Sequence, residues 1–263
     1  MAAFPGAAFM ARAFRTKLKP PFLRRITGPA PSAEQRREHP WSIPFLHHGL
    51  DLEFDRPVTI IVGDNGSGKS TLLEAIAANC GFSLSGGTRN HINYAQRQES
   101  LSPHLRFAWT PRVSKGFFLR AETLSQFVDT IDLVAQVDSD VYRAYGGSSL
   151  DVRSHGEAFM ALFEHQFGRQ GIYVLDEPET ALSPERQIQF LRLLKRMDES
   201  GLCQLIIATH SPLIMAYPGA RLLAVTKDGL EAIEFHETRN FRILREFYIN
   251  PDGFVAGVLM DDE

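Results

Sequence analysis

The sequence predicts an α/β domain with a mainly parallel sheet flanked by helices, and three observations carry that expectation. A complete G-x-x-x-x-G-K-[ST] loop, Gly63-Asp64-Asn65-Gly66-Ser67-Gly68-Lys69-Ser70, sits between an apolar run, Val58 to Val62, and a helix-like run beginning at Thr71. Two further apolar runs, Ile172-Tyr173-Val174-Leu175 and Leu205-Ile206-Ile207-Ala208, read as strands covered on both faces. Helical patterns separate these runs, and strands alternating with helices pair in parallel.

Taken in order, the first 39 residues stand apart. They carry Arg12, Arg15, Lys17, Lys19, Arg24 and Arg25, with no acidic residue before Glu34. A flexible basic arm, a start set too far upstream and a transit peptide would all read this way, although Pro5, Pro20, Pro21, Pro29 and Pro31 interrupt any long helix. The folded domain is expected over 40–263. Between Trp41 and Asp55, the residues Ile43, Phe45, Leu46, Leu50, Leu52 and Phe54 suggest short strands. The helix after Lys69 should stop at Gly81, a left-handed cap signal. The stretch 82–112 is polar and unordered by pattern. Phe117-Phe118-Leu119 reads as a strand, followed by a helical region from Glu122 to about Val137. A helical lobe is expected over about 90–168, with Ala158, Phe159, Leu162 and Phe163 on one face. Ser183 with Pro184 at the first position starts another helix, carrying Ile188, Leu191, Leu194 and Met197 inward until Gly201. A hairpin around Lys227-Asp228-Gly229 and a last helix with Phe241, Leu244 and Phe247 close the chain.

With 263 residues, 44% hydrophobic and 22% charged, the chain can bury one sizeable core. A net charge of −3 argues against coating nucleic acid non-specifically. Cys80 and Cys203 have no partner at a metal-like spacing, which fits reduced, buried thiols and a cytoplasmic setting. No apolar stretch approaches the roughly 20 residues that span a bilayer, so direct membrane insertion is not expected.

The chemistry concentrates at three strand ends. In the phosphate loop, glycines let the backbone approach an anion, and the N–H groups at the start of the helix point toward it. Lys69 would reach the β- and γ-phosphates while the Ser70 hydroxyl holds Mg²⁺. Gly63 to Ser70 with Thr71 are therefore the candidate ATP-binding residues. Asp176 and Glu177 end an apolar strand: Asp176 is the second candidate Mg²⁺ ligand, and Glu177 the base that polarises a water for in-line attack. His210, in Thr209-His210-Ser211 after the next strand, could bond the γ-phosphate or keep water and base in register.

The order of these motifs resembles the ABC-type ATPase superfamily, in which phosphate loop, signature, Asp-Glu strand and histidine switch follow one another. The chain is similar to its SMC-like and recombination-type branch, in the compact single-domain form described as "AAA family" ATPases, through G-F-F-L-R-A-E, S-H-G-E, L-D-E-P-E and A-T-H-S-P strings from about Trp41 onward. The resemblance implies a P-loop NTPase of ABC-ATPase type, with an antiparallel β portion and a helical lobe. It implies that Ser154, Gly156 and Glu157, a partial match to L-S-G-G-Q/E with Arg153 and His155 as departures, touch nucleotide held by another subunit. It also implies a nucleotide-sensing Arg89 and a Q-loop residue at Glu122, or secondly Gln126, able to hold Mg²⁺ or its water. Ala181-Leu182-Ser183 lacks the family's A-L-D aspartate, so coupling between sites is expected to be weaker or differently wired.

Mg²⁺-dependent ATP hydrolysis by an ATP-dependent head-to-tail homodimer is the function implied, serving DNA repair or phage defence with a DNA or protein effector. The 84 residues between Lys69 and Ser154 carry no sustained heptads, which excludes long coiled-coil arms. Two alternatives stay open: the ATPase subunit of a membrane transporter, and a nucleotide-gated switch with little turnover.

Overall fold

The computed structural model describes residues 18–84, 101–110, 112, 113, 115–135, 155–166 and 170–260. The strands are β1 (Leu23–Gly28), β2 (Leu50–Glu53), β3 (Val58–Val62), β4 (Arg106–Trp109), β5 (Gly116–Arg120), β6 (Gly171–Asp176), β7 (Cys203–Ala208), β8 (Arg221–Val225) and β9 (Leu230–Ala232). The helices are α1 (Lys69–Cys80), α2 (Leu124–Ala135), α3 (His155–Gln166), α4 (Pro184–Glu199), α5 (Pro212–Met215), α6 (Arg239–Ile249) and α7 (Pro251–Met260).

A six-stranded sheet runs in the order β5-β6-β7-β3-β8-β9, parallel except for β9, which returns antiparallel along β8. Every residue of β3, β6 and β7 is buried, as the continuous apolar runs require. Alternate side chains then feed two cores. Ile60, Tyr173, Leu175 and Ile207 pack with Phe159 and Phe163 of α3 and Phe190 of α4. Ile61, Ile172, Val174 and Ile206 pack on the other face with Leu72 and Ile76 of α1. That second core is closed by an antiparallel sheet, β2-β1-β4, through Leu23, Ile26, Leu50 and Leu52. No helix among the described residues is long and apolar enough to cross a membrane.

One side chain ties the two sheets together. Gln204 on β7 is fully buried, and its Oε1 accepts hydrogen bonds from the backbone N–H groups of Phe22 (2.8 Å) and Leu23 (2.9 Å). Its Nε2 donates to the Leu23 carbonyl at 3.0 Å. The expected basic arm over residues 1–39 is thereby corrected. Residues 1–17 lie outside the described residues, but Phe22, Leu23 and Ile26 are fully buried and β1 is the central strand of its sheet. Arg24 and Arg25 are only its exposed positions, Arg25 pairing with Asp51.

Other expectations shift locally. Pro44–Leu46 forms a 3-10 turn, leaving β2 as the strand of the 41–55 stretch. The lobe over 90–168 is not wholly helical: β4 joins the antiparallel sheet and β5 the parallel one, so its described helical part is α2 and α3. In α4 the inward face is Phe190, Leu193, Leu194 and Met197, and Ile188 is 45% exposed. The single last helix is two, α6 and α7. The end signals hold. Gly81 (φ 82°) donates to the carbonyls of Ala77 and Ala78, and Ser183 Oγ accepts from Arg186 N–H at the start of α4.

Two tests follow from this packing. Gln204→Leu leaves three buried backbone groups of the Phe22–Leu23 segment unpaired and should cost about 2–4 kcal/mol, read as a lower denaturant midpoint. Burial pushes the Cys203 thiol up to about 11, and Cys80 is buried as well. Neither thiol of the native protein should label at pH near 8, and both should label on unfolding.

Candidate nucleotide site

Register places three loops at one edge of the sheet. Asp176 at the end of β6 pairs with Ala208 of β7, and Ala208 pairs with Ile61 of β3. The chain beyond each strand therefore emerges at the same level: the phosphate loop, Glu177 and Thr209-His210.

The phosphate loop turns on two glycines of positive φ, Gly66 (75°) and Gly68 (95°). A Cβ at Gly68 would lie 2.5 Å from Ile43 Cγ2 and 2.8 Å from Phe45 Cε1, so both backbone angle and packing demand glycine there. At Gly66 a Cβ would meet nothing within 4 Å, so the loop presents open backbone at that point. Lys69 opens α1, is only 4% exposed, and its Nζ donates to the carbonyls of Gly63 (2.9 Å) and Asp64 (3.0 Å). Burial pulls its pKa below the ordinary lysine value, opposed in part by Glu177, Asp176, Asp64 and Glu179. Thr71 follows in the first turn of α1, while Asn65 is exposed at the loop tip.

Across β7, Ser70 Oγ donates to Asp176 Oδ1 at 3.2 Å. Asp176 is buried, and its second oxygen accepts from Arg120 Nε at 3.0 Å; Arg120 also bonds Glu74 of α1. Burial weakens the charge on Arg120, but Asp176 and Glu74 together outweigh that and raise its pKa. Ser70, Arg120, Glu122, Asp176 and Glu177 line one cleft of about 210 Å³.

Glu177 is the one non-glycine residue with positive φ (50°) among the described residues, a sterically costly conformation that tends to mark functional turns. Its N–H is held by the Ala208 carbonyl at 2.9 Å. Glu177 Oε1 lies 3.5 Å from His210 Nε2, and that nitrogen is buried without a hydrogen bond. The histidine backbone is clamped from two sides. Glu179 accepts from His210 N–H and, at 2.7 Å, from Thr209 Oγ1, while Asn240 Nδ2 donates to the His210 carbonyl at 2.8 Å.

The structure thus gathers Lys69, Ser70, Asp176, Glu177, His210 and Glu122. Gly156 and Glu157, in the first turn of α3, meet α4 instead: Glu157 accepts from Arg186 Nη2 at 3.0 Å, and a Cβ on Gly156 would lie 2.6 Å from Arg186 Cδ. Ser154 and Arg89 lie outside the described residues, as does the side chain of Gln126. Sequence reasoning assigned no role to Arg120, Glu74, Glu179 or Asn240. The available signal for Arg120 was a charged residue ending an otherwise apolar strand; Glu74 and Asn240 have no pattern signal, because their roles depend on tertiary placement.

The residues fit Mg²⁺ and a phosphate chain. Ser70 and Asp176 offer adjacent hard oxygen donors, with Glu122 in the same cleft. Ser67 Oγ and His210 Nε2 are buried polar atoms with no hydrogen-bond partner, both at the loops that would surround an anion. Because Glu179 holds His210 through the backbone, Glu179→Ala should lower kcat about tenfold or more with little change in nucleotide affinity. Parallel turnover and equilibrium binding measurements check this split.

Comparison with known proteins agrees with this geometry. Residues 44–116 match a family described as "AAA domain", and residues 127–216 one described as "AAA domain, putative AbiEii toxin, Type IV TA system". The chain is 26% identical over 239 residues to the "Nisin transport ATP-binding protein NisT" of Lactococcus lactis subsp. lactis, covering 80% of this chain and 38% of that protein. It is 30% identical over 95 residues to the "OLD nuclease" of Thermus scotoductus, covering 34% of this chain and 18% of that protein. The chain therefore spans well under half the length of these two relatives. Against the "Probable branched-chain amino acid transport ATP-binding protein LivF" of Archaeoglobus fulgidus it is 30% identical over 182 residues, covering 62% of this chain and 75% of that protein. The solved structure "An inward-facing conformation of a putative metal-chelate type ABC transporter" shares the fold at TM-score 0.53 and 17% identity, covering 81% of this chain and 84% of that one. The phosphate loop, the Asp176-Glu177 strand end and the similarity to LivF together establish that the chain belongs to the ABC-type ATPases.

Proposed function

We propose that this ATPase binds ATP with Mg²⁺ and couples hydrolysis to head-to-tail pairing of two copies. The observation that carries the reading is the Ser70–Asp176 contact, 3.2 Å across an intervening strand, with Glu177 and His210 immediately beside it. Ser70 and Asp176 would hold Mg²⁺, and Glu122 would orient a water on it. Mg²⁺, when bound, neutralises charge on the β- and γ-phosphate oxygens. Lys69 Nζ exchanges its two loop carbonyls for phosphate oxygens, which offer the buried ammonium a full negative charge in place of two carbonyl dipoles. Glu177 takes the proton of the attacking water. His210 Nε2, 3.5 Å from Glu177 and otherwise unbonded, supplies a contact to that water or to the γ-phosphate.

Gly63, Asp64, Asn65, Gly66, Ser67, Gly68 and Thr71 line the phosphates from one copy. Ser154, Gly156 and Glu157, with the N–H groups starting α3, complete the site from the other, and Arg89 senses the bound state. Ser183 caps α4, the place where the family's coupling aspartate would stand. The arrangement serves a cytoplasmic DNA-repair or phage-defence system acting with a DNA or protein effector, a role supported by the similarity to an OLD nuclease and to the AbiEii-type family description. A second reading, the ATPase subunit of a membrane transporter, is favoured by the names of NisT and LivF. It is weakened by Trp41 and Phe45, which are 8% and 0% exposed and so offer no ring face for a base.

Light scattering tests the pairing in a chain whose exposed C-terminal apolar residues Leu259 and Met260 are both replaced by aspartate: there Glu177→Gln with ATP and Mg²⁺ should double in mass relative to the same chain also carrying Lys69→Ala. An unchanged mass refutes ATP-dependent pairing. Steady-state hydrolysis then separates the roles. Stimulation by DNA supports the repair or defence reading, turnover indifferent to DNA supports transport, and negligible turnover in all conditions indicates a nucleotide-gated switch.

A further inference from the structure

We propose that α6 and α7 form a surface through which two copies of this chain associate without nucleotide, a contact distinct from the ATP-dependent pairing above. Among the described residues, eleven large apolar side chains are exposed, and seven of them lie on these two helices. Tyr248, Leu259 and Met260 are 73%, 70% and 78% exposed. Elsewhere among the described residues the only large apolar side chains exposed are Leu18, Leu133, Ile188 and Leu213, each in a different segment, so this concentration calls for a partner.

α7 makes the case sharpest. Its sequence, Pro251 to Met260, carries one charged residue, Asp252, and every position except the half-buried Phe254 is exposed. A helix apolar on all sides is normally buried. Phe254 stacks on Phe247 of α6 at 5.8 Å, and Asn250 Oδ1 accepts from Gly253 N–H, so the turn between the helices is anchored. Among the described residues, every position of α7 beyond Phe254 is exposed. Its ten residues reach only about 15 Å, half of a bilayer core, so it cannot span one.

Charge selects the occupant. α6 exposes three bases, Arg239, Arg242 and Arg245, against one acid, Glu246, beside Ile243, Tyr248 and Ile249. α7 is bracketed in sequence by acids, Asp252 before its apolar run and Asp261-Asp262-Glu263 after it. An anionic lipid surface would repel those acids, whereas interfacial helices are rich in lysine and arginine. The basic, partly apolar α6 of another copy complements them. Since each copy carries both surfaces, a two-fold arrangement satisfies each of them twice.

The position of α6 gives the contact a purpose. Arg239 reaches Asp64 of the phosphate loop at 3.4 Å, and Asn240 holds the His210 carbonyl. A dimer joined through α6 and α7 keeps two nucleotide sites tethered, raising the effective concentration of one head for the other.

The test is sedimentation of the full chain without nucleotide. The wild-type protein should run at twice its 29.5 kDa mass. Leu259→Asp with Met260→Asp should weaken that dimer by about 100-fold or more, while circular dichroism and thermal midpoint stay unchanged, because both side chains are exposed. In a second measurement, Val258→Cys treated with diamide, which takes up the two electrons and two protons, should form a disulfide-linked dimer without ATP, the native cysteines being buried. A monomeric wild type, a charged variant that still dimerises, or a monomer that floats with phosphatidylserine vesicles overturns the proposal. If the Leu259→Asp, Met260→Asp chain also carrying Glu177→Gln still doubles in mass with ATP, the two associations are separate and the nucleotide-dependent one stands by itself.

Discussion

The contact between Ser70 and Asp176 is the interaction on which the rest of the site depends. Two residues 106 positions apart are brought within 3.2 Å because β3, β7 and β6 end in register. That register is enforced by burial: strands covered on both faces cannot slip by one residue without sending every side chain into the wrong core. A carboxylate as buried as Asp176 also needs compensation. Arg120 on the neighbouring strand supplies it, and is itself shared with Glu74, so the carboxylate proposed to hold Mg²⁺ and its counter-charge are positioned by the same sheet.

Around this rigid edge, the parts with catalytic potential are held through their backbones. Glu177 is bent into the left-handed region and pinned by the Ala208 carbonyl; His210 is fixed between Glu179 and Asn240. Their side chains stay free to approach substrate while the main chain keeps aim. Lys69 illustrates the reverse balance, a buried cation satisfied by two carbonyls whose place a phosphate is proposed to take. The same backbone contacts run onward to α6, so the nucleotide site and the exposed C-terminal helices are physically continuous.

Much of this was legible in residue order, and the reasons for the remainder are specific. The phosphate loop, the three buried strands and the caps of α1 and α4 announce themselves because glycine, proline and apolar runs each have one local meaning. β1 did not. Its two arginines occupy exposed positions, and a register shift between Leu23 and Arg25 breaks the period of two that marks a strand. Its burial depends on Gln204, a polar residue in a central strand whose partners are some 180 positions away. The inward face of α4 was set off by a few residues because Ile188 looks as apolar as Phe190; only packing against α3 decides between them. Arg120, Glu74 and Asn240 act through neighbours that the topology chooses, and no spacing rule reports them.

Single-turnover hydrolysis measured beside nucleotide affinity bears most directly on the assigned division of labour, in which Asp176 holds the metal and Glu177 the water. Glu177→Gln should bind ATP with Mg²⁺ about as tightly as the wild type while the chemical step slows by about 100-fold or more. A variant that hydrolyses bound ATP at the wild-type rate, or that loses ATP binding altogether, would contradict the account.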